Sequence, residues 1–180
     1  MDTNHATTTK AIFAGGCFWC MEPPFKKLDG VHAVISGYIG GDKENPTYQE
    51  VSTGMTGHTE AVEISYDPAK VSYDQLLDVF WMNIDPTDAR GQFVDRGSQY
   101  RAGIFYLDEE QKQQAEASRD KLDKSGRFDS PIVTEIVAAT RFYPAEDYNQ
   151  DYCNVSPTRY KLYRSNSGRD QFLGKAWRKE

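Results

Sequence analysis

Segments with a period of two and segments with a period near 3.6 interleave along this chain without a fixed repeat. That interleaving limits the fold more than any other feature of the sequence. Glu60 to Tyr66 is the most informative strand. Val62, Ile64 and Tyr66 share one face, Ala61, Glu63 and Ser65 the other, and Glu60 falls on the apolar side. A carboxylate therefore points inward. Ala11-Ile12-Phe13-Ala14 predicts a short buried strand running into a Gly15-Gly16 turn, and Val31 to Ile39 a second strand closed by Gly40-Gly41. Tyr100 to Leu107 predicts another, and the nearly continuous β-branched run Ile132 to Ala139 a central strand buried on both faces.

Helical spacing appears at Phe18, Met21, Phe25 and Leu28, where Pro23 and Pro24 predict either a kink or a start near Met21. Both versions leave Cys17 near a helix N-terminus. Ser72 and Gln75 form a capping box for a helix over 73–83, and Asp108 caps a strongly polar helix that Gly126 ends. The pattern predicts an α+β fold, a two-layer sandwich with a mixed sheet and helices on its faces, followed by a long irregular aromatic tail over 154–180.

A length of 180 residues suits one domain, 1–180, with the polar leader 1–9 expected to be disordered. Twenty-one Lys and Arg against 27 Asp and Glu give a net charge of −6, which favours neither nucleic acid nor an anionic membrane. No run approaches the roughly 20 apolar residues of a membrane span, and the leader lacks the apolar stretch of a secretory signal. A cytoplasmic protein is expected. The polar helix after Asp108 favours a monomer.

Three cysteines are too few for a disulfide-stapled scaffold, so reduced thiols are expected. Cys17-Phe18-Trp19-Cys20 places two thiols at C-x-x-C spacing beside Gly-Gly at a helix start, where the positive helix end lowers a thiol pKa and makes a nucleophile. Three readings of the pair stand. Buried small hydrophobes are one. A zinc site is another, but it needs about four ligands, and only Cys153 and the scattered His5, His32 and His58 remain. Thiol redox or sulfur chemistry is the third, favoured by the spacing, and no metal is expected.

Gly15-Gly16-Cys17-Phe18-Trp19, Gly37-Tyr38-Ile39-Gly40-Gly41, Asn45-Pro46-Thr47-Tyr48, Thr56-Gly57-His58-Thr59-Glu60-Ala61-Val62, Asp95-Arg96-Gly97-Ser98-Gln99-Tyr100-Arg101 and Phe142-Tyr143-Pro144-Ala145-Glu146-Asp147-Tyr148 follow in order. Together they closely resemble the class A peptide methionine sulfoxide reductases. The resemblance implies a ferredoxin-like core and reduction of the S epimer of methionine sulfoxide, free or in proteins, with no metal or organic cofactor. It implies that Cys17 attacks the sulfoxide sulfur and becomes a sulfenic acid. Glu60, held neutral by desolvation, would protonate the oxygen. Tyr48 and Tyr100 would donate hydrogen bonds to that oxygen. Phe18 and Trp19 would form the pocket for the ε-methyl group, and Asp95 would orient the network.

A second thiol must clear the sulfenic acid. Cys20 is favoured because its nearness is set by the sequence, with Cys153 in the tail as the alternative. Thioredoxin or a similar dithiol is the expected reductant. The competing function is a thiol–disulfide exchange protein using Cys17 and Cys20, which would need no oxide-binding cluster. A binding module built on the aromatic tail would need no Cys17 at all.

Overall fold

The computed structural model describes residues 8–178. In chain order the elements are β1 (Thr9–Gly15), α1 (Phe18–Lys26), β2 (Val31–Ile39), α2 (Tyr48–Ser52), β3 (Thr59–Tyr66), α3 (Tyr73–Trp81), β4 (Gly91–Gln92), β5 (Asp95–Arg96), β6 (Ala102–Tyr106), α4 (Glu109–Lys124), β7 (Glu135–Ala138), β8 (Tyr143–Pro144), α5 (Tyr152–Val155), α6 (Pro157–Asn166) and α7 (Arg169–Ala176). Most of the leader expected to be disordered lies outside the described residues, and Thr9 already opens β1.

Six strands form one mixed sheet in the order β7-β6-β1-β3-β2-β8, while β4 and β5 make a separate hairpin. Strand β3 lies antiparallel between β1 and β2, with Phe13 opposite Val62 and Tyr38 opposite Glu60. Helix α1 joins β1 to β2, and α3 lies between β3 and β6 in the chain. The inner strands β6-β1-β3-β2 with these two crossovers are the ferredoxin-like arrangement.

Alternation along β1 explains its burial. Ala11 and Phe13 enter the larger core with Met21, Phe25, Leu76, Leu77 and Phe80 from α1 and α3, whereas Ile12 and Ala14 join Ile39, Ala61 and Phe105 in a smaller one. Phe13 stacks against Phe80 at 5.1 Å, Phe25 at 5.5 Å and Tyr73 at 5.9 Å between ring centroids. Ala115 is the apolar anchor of the otherwise polar α4.

Ser72 and Gln75 make the predicted capping box, and Asp108 accepts from the Gln111 N–H as predicted. Other expectations are corrected. The run 132–139 is not a central strand. Only Glu135–Ala138 is extended, at the sheet edge parallel to β6, with Val133 and Val137 exposed. Its β-branched residues reflect strand propensity, not two-sided burial. Tyr100 belongs to a single 3₁₀ turn, Ser98–Tyr100, ahead of β6.

The tail is not irregular either. Pro157 opens α6 with its φ already set for a helix, and α7 follows after Gly168 turns through the left-handed region. Arg169 anchors the tail. Its guanidinium, 1% exposed, donates to the Asn83 carbonyl at 2.6 Å and the Gly15 carbonyl at 2.9 Å. Among the described residues no helix is long and apolar enough to cross a membrane.

Candidate active site

The turn after β1 sets the position of Cys17. Gly16 has φ +82°, and a Cβ there would come within 2.6 Å of Gln92. Glycine alone satisfies both conditions. Cys17 becomes the N-cap of α1, which starts at Phe18 and runs through both prolines to Lys26. A start near Met21 is thereby corrected.

Glu60, on the second residue of β3, accepts a hydrogen bond from the Phe18 N–H at Oε2, 3.0 Å away. The carboxyl is thus tied to the first turn of the helix that carries Cys17. Burial pushes Glu60 up to about 8, the Phe18 N–H pulling the other way. At neutral pH the group is mostly a protonated acid.

Tyr48 opens α2, whose capping box pairs Thr47 with Glu50. Its N–H donates to Glu146 Oε2 at 2.9 Å, and Tyr38 Oη donates to Glu146 Oε1 at 2.9 Å. Burial first and the Glu60 charge second raise both Tyr48 and Tyr100 above the ordinary phenol range, with the Cys17 charge adding to each. Both phenols are donors at any physiological pH. The structure therefore gathers Cys17, Glu60, Tyr48 and Tyr100 from four separate segments into one electrostatic neighbourhood.

Burial opposes the expected Cys17 thiolate. Cys17 is 6% exposed, and burial pushes its thiol well above the ordinary value, helped by a hydrogen bond to Cys20 and by the Glu60 charge. Cys20 is pulled down to about 7, first by that hydrogen bond and then by Arg169 and Arg164, against its own burial. Desolvation outweighs the helix end at Cys17, whereas at Cys20 it is outweighed by the neighbouring groups.

Phe18 has its ring wholly inside the core, tilted against Tyr38 at 5.9 Å, while its backbone holds Glu60. Trp19 is half-buried. It stacks on Tyr152 with centroids 3.8 Å apart, meets Tyr163 edge-on at 5.8 Å, and donates from Nε1 to Asn149 Oδ1 at 3.2 Å. Asp95 accepts a short hydrogen bond from Tyr163 Oη, and burial raises its carboxyl against the pull of Tyr163 and Arg169. Cys153 sits in α5, near Lys26 and Glu22 of α1.

Sequence reasoning missed Tyr152, Tyr163, Arg164 and Glu146. The i, i+3 and i+4 spacing of Tyr160, Tyr163 and Arg164 after Ser156-Pro157 was the available signal for the first turns of a docked helix. His58, a weighed metal ligand, has both ring nitrogens engaged, Nδ1 accepting from the Gly41 N–H at 3.1 Å and Nε2 lying 2.7 Å from the Lys43 carbonyl. Among the described residues no group of three His, Cys, Asp or Glu side chains could hold a metal ion.

A nucleophile and a protonated acid at one rim of a ferredoxin-like sheet fit thiol-based reductases, and comparison with known proteins agrees. The family model for peptide methionine sulfoxide reductase matches residues 9–180. The chain belongs to that family. A Streptococcus agalactiae protein named peptide methionine sulfoxide reductase MsrA is 58% identical over 168 residues, 93% of this chain and 98% of its own length. Reduced Mxr1 of Saccharomyces cerevisiae is similar with a TM-score of 0.80 and 28% identity, covering 87% of this chain and 90% of that one. Methionine sulfoxide reductase A of Corynebacterium diphtheriae gives 0.75 and 35%, covering 86% and 77%. The yeast protein in complex with Trx2 matches at 0.59 and 21%, a likeness of fold.

Proposed function

We propose that this protein reduces the S epimer of methionine sulfoxide, free or within proteins, through a Cys17 sulfenic acid and then a Cys17–Cys20 disulfide. One observation carries the reading: a buried acid tethered by the Phe18 N–H at 3.0 Å stands beside a sheltered thiol. Sulfoxide reduction needs both groups, because the oxygen leaves the substrate only as it gains a proton.

In the first step the sulfoxide oxygen accepts hydrogen bonds from Tyr48 and Tyr100, which strengthen as charge gathers on it. The Cys17 sulfur attacks the substrate sulfur, Glu60 protonates the oxygen, the substrate S–O bond breaks as the hydroxyl passes to the Cys17 sulfur and methionine leaves, and the Cys17 proton makes good the one that Glu60 gives up. Thiol and sulfoxide thus become sulfenic acid and methionine, with atoms balanced. Asp95 and Tyr163 are assigned to the border of this space and the half-buried Trp19 to its apolar side, with the Phe18 ring in the core behind it.

In the second step Cys20 attacks the sulfenic sulfur, the S–O bond breaks and water leaves. Cys20 is preferred over Cys153 because it lies one helical turn from Cys17, its N–H donating to the Cys17 carbonyl at 3.0 Å. Thioredoxin is the proposed reductant of the resulting disulfide, supported by the yeast relative seen with Trx2. Three cysteines, an odd number, support a reducing compartment, and we place the protein in the cytoplasm. A disulfide exchange protein would leave Glu60, Tyr48 and Tyr100 without work.

Incubation with separate S and R methionine sulfoxide and dithiothreitol tests the reaction. Methionine is expected from the S epimer alone, and turnover of neither epimer ends the reading. Peptide mapping of the protein oxidised by one equivalent of sulfoxide tests the recycling thiol. A Cys17–Cys20 bridge is expected, and a Cys17–Cys153 bridge overturns the assignment.

A further inference from the structure

Pro24 has no N–H, so the carbonyl of Cys20, four residues earlier in α1, lacks the donor that a helix would supply. Arg164 of α6 fills the gap from another part of the chain, its Nη1 donating to the Cys20 carbonyl at 3.4 Å. The same nitrogen reaches Tyr160 Oη at 3.3 Å. Asp170 fixes the opposite edge of the guanidinium, accepting at Oδ1 from Nε at 2.9 Å and from Nη2 at 2.8 Å. A planar cation gripped on two edges is held in one orientation, which a flexible ammonium would not be.

We propose that Arg164 is the positioning residue for the recycling thiol, bracing the proline-weakened turn of α1 so that Cys20 faces Cys17 as a reactive sulfur. The inference rests on the recycling role proposed above for Cys20. The groups facing Cys20 are Cys17, Glu60 of β3, Asp95 of β5, Tyr160, Tyr163 and Arg164 of α6, and Arg169 of α7. Only the two arginines are cations. Arg169 is committed to the Gly15 and Asn83 carbonyls deep in the fold, whereas Arg164 is bonded to Cys20 itself. Burial raises the Cys20 thiol, and the charge of Arg169 and then that of Arg164 offset part of that rise. The step it serves balances as sulfenic acid plus thiol giving disulfide plus water, with no outside oxidant or reductant.

The test uses the full chain carrying Cys153→Ser, so that Cys20 is the one thiol able to close on Cys17. After one equivalent of S methionine sulfoxide, disulfide closure is timed by acid quench and compared with methionine release in the same sample. Arg164→Met is expected to slow closure about tenfold, the loss of one charge-assisted contact. Arg164→Lys recovers the charge but not the fork and gives an intermediate rate. A second readout is the pH dependence of Cys20 alkylation by iodoacetamide in a Cys17→Ser, Cys153→Ser background, where the serine hydroxyl keeps a donor beside Cys20. The alkylation midpoint should move upward in Arg164→Met and stay near its original place in Arg164→Lys. Asp170→Asn, which frees the guanidinium without touching α1, should also slow closure, and it serves where Arg164→Met fails to fold. Unchanged closure and an unchanged midpoint overturn the positioning role. A Cys17–Cys153 bridge in the unsubstituted protein instead overturns the recycling role, so the two failures are told apart.

Discussion

Glu60→Gln lowers the turnover of S methionine sulfoxide by about 10²–10⁴-fold, the usual worth of a positioned general acid. Glutamine has the same shape, can still accept the Phe18 N–H, and can still donate to the sulfoxide oxygen, so binding survives and proton delivery does not. Steady-state kinetics should show the loss in kcat more than in KM. The pH profile adds a second constraint. Glu60 titrates near 8 in the folded protein, so the rate falls as pH rises through about 8, and the variant lacks that descending limb. Stability has the matching sign. A carboxyl whose folded-state value lies above its ordinary 4.5 stabilises the fold fully below that value, and the contribution is lost as pH rises through about 8. Glu60→Gln should therefore flatten the decline in stability between pH 5 and pH 9. A variant with full turnover would remove Glu60 from the chemistry.

Arg169→Met destabilises the fold by about 2–6 kcal/mol, because two buried carbonyls lose a charged donor at about 1–3 kcal/mol each. Those carbonyls belong to Gly15, at the end of β1, and Asn83, just beyond α3, so the tail fastens the turn that presents Cys17. The guanidinium also lies 4.7 Å from the centre of the Phe93 ring, a contact that methionine keeps only in part. Urea unfolding followed by circular dichroism measures the change, and a loss below about 0.5 kcal/mol, the range of an ordinary surface substitution, would contradict the anchoring role.

The parts of the fold that were legible in the sequence follow local rules. Strand β3 could be read because its side chains alternate and Glu60 falls in phase with Val62 and Ile64. The capping box at Ser72 and the N-cap at Asp108 could be read because a cap is a contact over three residues. The Ile132–Ala139 run could not, since strand propensity does not report whether a strand lies at the centre or the edge of a sheet. The helices of the tail were illegible for a related reason. Helix α6 is polar nearly throughout and has no buried residue, so its helical form owes more to docking than to an apolar stripe. For the site, residue types at their spacings pointed to Cys17 and Glu60 before any geometry. The ionisation of Cys17 did not follow from spacing, because a helix end acts through the chain while burial acts through space. Phe18 likewise contributes its main chain to the acid, and no residue type announces a backbone contact.

Sheet order has one more consequence. β1 and β3 are adjacent and antiparallel, so the chain leaves β1 toward Cys17 at the same rim where it enters β3 at Glu60. The atoms assigned to make and break bonds hang from the two innermost strands of the sheet. Tyr48, Tyr100 and the covering helices arrive on short connectors around it. Such a division keeps the reacting pair in register across the sheet, whatever surrounds it at the rim.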